Sequence, residues 1–288
     1  MKERTKAYVA GLMDAEGCFS IYKATPKPGE QTPYQPRIVL ASVELLLVKW
    51  LVATFGGFYT KHSPIRGRAW YQWNLNGRIA APTFLSAIIP YLRIKKREAL
   101  ILQDFYALGS QMNPEKRKEL MDSIRTMKNR ECLTTDTLDG NVEDKLTHAY
   151  IAGIMDGEGC ISAAFSPAGK PMYRIRMGNN FFPLVDLFQR IYGGWFHTEP
   201  ASGKSSEFYT WEITTKEQKE RFLLQTLPYL RVKREQAKVA LELARLPSTP
   251  SRELRKTLCD KMRLLNDPKI QSELQGDLQS APAEMPTA

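Results

Sequence analysis

The stretch AYVAGLMDAEGCFS, residues 7–20, has a near copy, AYIAGIMDGEGCIS, at residues 149–162. Each copy reads as a helix that ends in two carboxylates and a glycine. Small residues recur every fourth position in both copies, which places them on one helix face. They are Ala7, Gly11, Ala15, Ala149, Gly153 and Gly157. Because glycine inside a helix costs up to about 1 kcal/mol, it needs a packing reason. We expect the two helices to pack face to face; the alternative is that each small face packs on its own sheet.

The duplication extends over most of the chain, with its landmarks in the same order. GGFYTKH (56–62) corresponds to GGWFHTE (193–199), YQWNLN (71–76) to YTWEIT (209–214), and IPYLRIKKREALIL (89–102) to LPYLRVKREQAKVAL (227–241). Each unit reads as αββαββα with a further helix, and Thr5 and Thr147 are the expected N-caps of the first helices. The predicted fold class is α+β, with four antiparallel strands and helices on one face in each unit. The expected divisions are 1–128, a linker at 129–144, 145–274, and a disordered tail at 275–288.

The composition bounds the class of protein and its partners. The chain has 288 residues, a net charge of +10 and 43% hydrophobic residues, which fits two folded domains that meet a polyanion. No apolar run approaches the roughly 20 residues of a membrane span. The four cysteines form no CxxC pair, which favours buried thiols in a reducing, intracellular compartment over a disulfide or zinc framework.

Face-to-face packing would bring Glu16 and Glu158 together at the C-termini of the two helices. Two like charges would meet there, each at the negative end of a helix dipole. A compensating cation is needed, and Mg²⁺ prefers carboxylate and carbonyl oxygens. The sequence therefore predicts one site shared between the two helix ends.

The segments VAGLMDAEG (9–17) and IAGIMDGEG (151–159) resemble the two LAGLIDADG motifs of a single-chain homing endonuclease. The resemblance covers roughly residues 5–270 and includes the PYLRIK, PYLRVK and LPSTPSRELRKTLCDKMRLLNDPK segments. It implies two pseudo-symmetric units with curved sheets, and a monomer that cuts both strands of a long asymmetric DNA target in the major groove. It also implies short 3′ overhangs, a role in intron homing, and an organellar (chloroplast or mitochondrial) or prokaryotic cytoplasmic location.

The resemblance also implies roles for individual residues. Glu16 and Glu158 would bind metal, with the carbonyls of Ala15 and Gly157, and Lys95 and Lys233 would act as catalytic lysines. Two or three Mg²⁺ ions would be shared; Mn²⁺ would substitute for them, and Ca²⁺ would not support cleavage. The first acids of the motifs, Asp14 and Asp156, would brace the helix ends. Ser42 and Asn179 are candidates for positioning water, and Glu44 or Leu45 stands where the family carries a basic residue.

DNA contacts are expected from the polar face of each sheet and from the loops beside it, since arginine reads guanine and amides read adenine. Arg66 and Arg68 are placed in a loop, where they would hold phosphate. The candidates are Ser20, Tyr22, Gln35, Arg37, Lys61, Arg66, Arg68, Gln72, Asn74, Ser162, Arg174, Arg176, His197, Lys204 and Thr210.

Two other readings of the same fold stay open at the level of sequence. The chain could act as a maturase that binds intron RNA with weak or no cleavage, or as a DNA-binding regulator that does not cut. The intact pair of glutamates and the intact pair of lysines favour the nuclease.

Overall fold

The chain folds into two units of the same architecture. The computed structural model describes residues 1–25, 34–65, 68–109, 113–127, 144–165, 171–202, 206–246 and 251–267. The predicted linker at 129–144 lies outside these ranges except for Asp144, and the predicted tail at 275–288 lies outside them entirely.

The first unit follows the predicted order and adds a helix at its end. Its elements are α1 (Glu3–Glu16), β1 (Gly17–Lys23), β2 (Tyr34–Ser42), α2 (Leu45–Phe55), β3 (Phe58–Ile65), β4 (Arg68–Leu75), α3 (Ala80–Ile88), a 3-10 turn (Ile89–Tyr91), α4 (Lys96–Leu108) and α5 (Pro114–Met127). The second unit repeats this order. Its elements are α6 (Lys145–Glu158), β5 (Gly159–Phe165), β6 (Pro171–Asn179), α7 (Phe182–Tyr192), β7 (Trp195–Glu199), β8 (Phe208–Glu212), α8 (Lys216–Thr226), α9 (Arg234–Arg245) and α10 (Arg252–Leu265).

Each unit contains one four-stranded antiparallel sheet, as predicted. The strand orders are β1-β2-β4-β3 and β5-β6-β8-β7. Strand residues alternate between a core face and a polar face because successive side chains point to opposite sides. On the first sheet Phe19, Ile38 and Trp73 lie in the core, and Ile175 and Trp211 do so on the second. This alternation gives each sheet one apolar face in the core and one polar face.

The Gly-Gly pairs end α2 and α7, as predicted. Gly56 and Gly57 have φ of 79° and 82°, which is backbone that residues with a side chain rarely adopt. The carbonyl of Gly56 accepts a hydrogen bond from the indole of the buried Trp73, at 2.9 Å. Gly193 receives the same bond from Trp211, at 2.8 Å. The turn therefore fixes the helix end against the sheet in both units.

The prediction that Thr5 and Thr147 are N-caps is wrong. Both helices begin two residues earlier, at Glu3 and Lys145. Asp144 is the N-cap of α6, where its side chain accepts the backbone N–H of Leu146. Thr147 is buried inside the helix, and its hydroxyl accepts a hydrogen bond from Arg93 of the first unit, at 2.9 Å.

Two expectations from composition meet different outcomes. Across the described ranges, the structure contains no helix with the length and hydropathy that crossing a bilayer requires. Cys18, Cys160 and Cys259 are free thiols, but only Cys259 is buried, and Cys160 is exposed. The prediction that Cys160 is a buried apolar residue is therefore wrong, because it lies on the polar face of its sheet.

Candidate functional site

Helices α1 and α6 pack directly against each other at their glycines, as the small-residue spacing predicted. A Cβ atom added to Gly11 would lie 2.0 Å from the carbonyl oxygen of Tyr150. One added to Gly153 would lie 2.0 Å from the carbonyl oxygen of Tyr8. Only glycine permits this approach of the two backbones, so the alternative in which each helix packs on its own sheet is excluded.

The same face brings the two helix ends together. A Cβ atom added to Gly157 would lie 2.7 Å from the Cβ of Ala15 and 3.0 Å from the Cγ of Glu16. Glu16 of the first unit therefore lies against the residue that precedes Glu158 of the second. Both carboxylates are the last residues of their helices, and the expected juxtaposition of the two ends is confirmed.

The first acids of the motifs hold the two units in register. The carboxylate of Asp14 accepts the backbone N–H groups of Arg93, Ile94 and Lys95, at 2.8, 3.1 and 2.8 Å. It also accepts the hydroxyl of Tyr150 from the opposite helix, at 2.8 Å. Burial raises the pKa of Asp14, and the backbone hydrogen bonds lower it by less. Asp14 therefore braces the turn before α4 as well as the helix pair.

Asp156 makes the matching set of bonds in the second unit. It accepts the backbone N–H groups of Arg231, Val232 and Lys233, at 2.7, 3.1 and 2.9 Å. The hydroxyl of Tyr8 completes the set, at 2.8 Å. The prediction that both aspartates brace the helix ends is confirmed. Tyr8 and Tyr150 were not predicted from the sequence, although each precedes the interface glycine of its own helix by about one turn.

An arginine covers each of these tyrosines. The guanidinium of Arg93 lies 4.8 Å from the centre of the Tyr150 ring. That of Arg231 lies 5.5 Å from the Tyr8 ring and 3.8 Å from the ring of Trp50. Positive charge over an aromatic face is favourable, more so where water is excluded. The buried aspartate, the tyrosine and the arginine thus form one compensated group on each side of the helix pair.

The two predicted catalytic lysines lie at the helix C-termini. The Nζ of Lys95 donates to the carbonyls of Met13, Ala15 and Gly17, at 3.0, 3.1 and 2.8 Å. The Nζ of Lys233 donates to the carbonyl of Asp156, at 2.7 Å. A cation is favourable at the negative end of a helix dipole. The lysines therefore supply part of the positive charge that the paired helix ends require.

The carboxylates around Lys233 affect the pKa of its ammonium group. Its burial lowers its pKa, and the charges of Asp156, Glu44 and Glu16 oppose that shift. Glu16, Ser42, Glu44 and Lys233 line one open cleft beside the end of α1. A residue from the second unit thus completes the surroundings of the carboxylate from the first.

The second carboxylate has a different neighbour. The side-chain amide of Asn179 donates to Glu158, and its oxygen accepts the backbone N–H of Phe181 at 2.8 Å. In the first unit Ser42 stands at the corresponding place, and its hydroxyl accepts the N–H of Glu44 at 3.0 Å. Both residues cap the turn into the next helix, and Asn179 in addition holds the carboxylate. The two halves of the site therefore differ.

The oxygen atoms present suit a hard divalent cation. Glu16, Glu158 and the carbonyls at the helix ends are the donor types that Mg²⁺ takes, and Mg²⁺ usually completes its shell with water and substrate phosphates. Within the described part of the chain, no three His, Cys, Asp or Glu side chains cluster closely enough to form a metal cage. The donor set thus suits a metal ion that is bound jointly by the protein and by a phosphate. One of the predicted ligands, the carbonyl of Ala15, also accepts a hydrogen bond from Lys95.

The polar faces of the two sheets carry most of the predicted DNA-contact residues. Strand register and alternation place one set on the first sheet and another on the second. The first polar face includes Ser20, Tyr22, Gln35, Arg37, Phe58, Thr60, His62, Trp70, Gln72 and Asn74. The second polar face includes Ser162, Arg174, Arg176, Trp195, His197, Glu199, Phe208, Thr210 and Glu212. Phe58, Thr60, His62, Trp70, Trp195, Glu199, Phe208 and Glu212 were not among the sequence-based candidates.

Four candidates behave differently. Lys61 lies opposite Tyr71 in the β3–β4 register, on the same side of the sheet as the buried Trp73, so its assignment to the polar face is wrong. Arg68 begins β4 and does not lie in a loop as predicted; its side chain is outside the description. Arg66 and Lys204 lie outside the described residues.

Comparison with known proteins relates this geometry to solved structures. No protein-family sequence model matches the chain, and no curated protein matches it in sequence. The structure of the LAGLIDADG homing endonuclease I-GzeII in complex with its DNA target superimposes with a TM-score of 0.67, covering 91% of this chain and 99% of that one at 15% identity. This chain has the LAGLIDADG homing endonuclease fold.

Two further structures share the LAGLIDADG fold with this chain. I-SmaMI bound to uncleaved DNA in the presence of calcium superimposes with a TM-score of 0.66, covering 90% of this chain and 98% of that one at 15% identity. I-SmaMI bound to cleaved DNA gives 0.62, covering 94% of each chain at 13% identity. The likeness spans both units, so the LAGLIDADG fold is shared as a two-unit whole and not as one isolated half.

Proposed function

We propose that this chain is a site-specific DNA endonuclease that cuts both strands of a long asymmetric duplex in a metal-dependent reaction and leaves 3′ overhangs. The observation that carries the proposal is the pair of packed helix ends, where Glu16 lies against Gly157, the residue that precedes Glu158, and each helix leads into a sheet with a polar face. Solved structures of one protein with the same fold, I-SmaMI, contain uncleaved and cleaved DNA. A module that only binds would gain nothing from two carboxylates directed at phosphate.

The chemistry follows from the residues at the helix ends. Glu16 and Glu158, with the neighbouring carbonyls, would hold Mg²⁺. When bound, the metal would activate water and stabilise the oxygens of the phosphodiester that is cut. Lys95 and Lys233 keep positive charge at the negative helix ends, which favours the approach of phosphate. Asn179 holds Glu158 in one orientation. The polar faces position the duplex so that one phosphate of each strand meets one carboxylate.

The test uses the full chain and a randomised duplex library, with Mg²⁺ for cutting and Ca²⁺ for binding alone. We expect discrete products with 3′ overhangs at one long asymmetric sequence in Mg²⁺. Glu16→Gln and Glu158→Gln should each abolish double-strand cleavage and retain binding, because the amide keeps the size of the side chain and removes its charge.

The matched control is Glu242→Gln, which removes one exposed negative charge on α9. It should cut like the wild type. Full-rate double-strand cleavage by both site variants would overturn the site assignment. Sequence-specific binding without cutting in either metal would overturn the nuclease and leave a DNA- or RNA-binding role.

A further inference from the structure

The two polar faces can be compared position by position, because the units align through their buried tryptophans. Asn74 follows Trp73 in the first unit, and Glu212 follows Trp211 in the second. Ser20 pairs with Arg37 across β1 and β2, and Ser162 pairs with Arg174 in the same way. The two faces therefore carry an arginine at the same position, Arg37 and Arg174. On the neighbouring strand they carry different residues, Asn74 and Glu212.

The shared arginine has a different partner on each face. Arg37 donates to the side-chain oxygen of Gln72 at 3.3 Å, and Gln72 in turn donates to Asn74 at 2.7 Å. Arg174 instead faces the carboxylate of Glu212, with its Nε 3.7 Å from Oε1. The first face therefore presents a chain of neutral amides, and the second presents an ion pair.

The ion pair with Arg174 leaves Glu212 able to accept further hydrogen bonds, because an ionised carboxylate has about four acceptor sites. Glu212 lies opposite Arg176 in the β6–β8 register, and its side chain is only 20% exposed. Negative charge repels the phosphates of a duplex, and it cannot donate a hydrogen bond to any base acceptor. In the major groove the N4 amino group of cytosine is the donor that glutamate and aspartate accept, whereas asparagine and glutamine pair with adenine.

From these contacts we propose that Glu212 is a specificity-determining residue that selects a cytosine in the half-site facing the second sheet. Asn74 stands at the corresponding place of the first sheet, but it is 9% exposed and both ends of its amide are bonded to Gln72, so the first sheet offers no matching contact there. Arg37 and Arg174, being equivalent, select the same base in both halves. The target is then symmetric at the arginine position and asymmetric beside it. This inference rests on the proposed function, since it requires that the polar faces meet duplex DNA.

The test is selection of bound sequences from a randomised 30-base-pair duplex library by the full chain, without cleavage. The wild type should enrich cytosine at one position in one half-site. Glu212→Gln should lose that preference by about tenfold or more and shift it towards adenine, because a good base contact discriminates by about 1–3 kcal/mol. Glu242→Gln removes the same charge from the exposed surface of α9 and should select the wild-type sequence.

The expected shift towards adenine makes the test independent of any loss of folding, because an unfolded Glu212→Gln protein cannot gain a preference. Selection of one defined sequence by both variants, with no position that responds to Glu212→Gln, would overturn this inference and leave the DNA-binding proposal standing. Failure of the wild type to select any duplex would overturn both.

Discussion

The hydroxyl of Tyr8 in the first unit donates to the carboxylate of Asp156 in the second, with 2.8 Å between the two oxygens. Tyr150 returns the same bond to Asp14, also at 2.8 Å. Each aspartate also caps the basic turn of its own unit. The bonds that join the units and the bonds that place Lys95 and Lys233 therefore share the same two carboxylates, so a change at the interface reaches the helix ends.

Loss of one tyrosine hydroxyl should destabilise the whole chain. Tyr8→Phe leaves the buried Asp156 with three backbone donors in place of four donors in total. A hydrogen bond to a charged group contributes about 1.5–3 kcal/mol, so the free energy of unfolding should fall by that amount in urea titration. Tyr106→Phe is the control, since Tyr106 lies on α4 away from the aspartates. Equal stability of Tyr8→Phe and the wild type would contradict this role.

The glycine contact should tolerate no added methyl group. In an isolated helix, Gly11→Ala would gain up to about 1 kcal/mol from helix propensity. In the protein the new Cβ would lie 2.0 Å from the carbonyl oxygen of Tyr150. The backbone must then move, and overpacking of this kind costs about 1–3 kcal/mol or more. We expect a lower melting temperature by calorimetry. A gain in stability, the result that propensity alone would give, would mean that the helices do not touch there.

The difference between the two carboxylates should appear strand by strand. Asn179→Ser introduces the residue that the first unit carries at the same place, which can still cap α7 and no longer reaches Glu158. In the proposed reaction Glu158 holds a metal ion, and removing a group that orients a metal ligand typically costs about 10–100-fold in affinity or activity. On a duplex labelled separately on each strand, we expect one strand to be cut that much more slowly and the other at the normal rate. An equal effect on both strands, or none, would count against the asymmetry, and Ser42→Asn is the reciprocal variant.

High pH should weaken the chain through the same tyrosines. Burial, followed by the charge of the neighbouring aspartate, raises the pKa of Tyr8 and Tyr150 well above the ordinary value near 10. The folded state keeps protons that the unfolded state releases. The two protonated tyrosines therefore contribute fully to stability below about pH 10, and this contribution is lost as the pH rises towards their pKa values in the folded state. The urea midpoint should fall between pH 9 and pH 11, and less steeply in the double variant Tyr8→Phe/Tyr150→Phe. Identical slopes would refute this.

Much of the architecture could be predicted because it was present twice. The order of elements, the Gly-Gly helix ends and the face-to-face contact of Gly11 and Gly153 all follow from repeated local patterns. The N-cap prediction was wrong because of a contact between the units. The hydroxyl of Thr147 accepts a hydrogen bond from Arg93 of the other unit, and Asp144 caps α6 instead.

The site could be predicted less completely than the fold. Lys61 was assigned to the wrong face because β3 carries polar residues on both faces near the edge of the sheet. The alternation of polar and apolar residues therefore does not show which face of β3 points to the core. The contact of Asn179 with Glu158 joins β6 to α6 across the fold, and spacing alone does not reveal it. Glu212 was not among the candidates because a carboxylate repels phosphate and is not expected on a DNA-binding surface. Only the strand register shows that it lies on the polar face.

The crossed tyrosine–aspartate bonds and the paired glycines have one more consequence. Tyr8, Gly11 and Asp14 are matched by Tyr150, Gly153 and Asp156, so the seam between the units is self-complementary in the manner of an isologous dimer interface. The match stops at the helix ends, where Ala15 of the first unit faces Gly157 of the second. A Cβ atom added to Gly157 would lie 2.7 Å from the Cβ of Ala15. Two copies of the first unit could therefore not meet through the same contacts without moving apart, and the seam fits only the unlike pair.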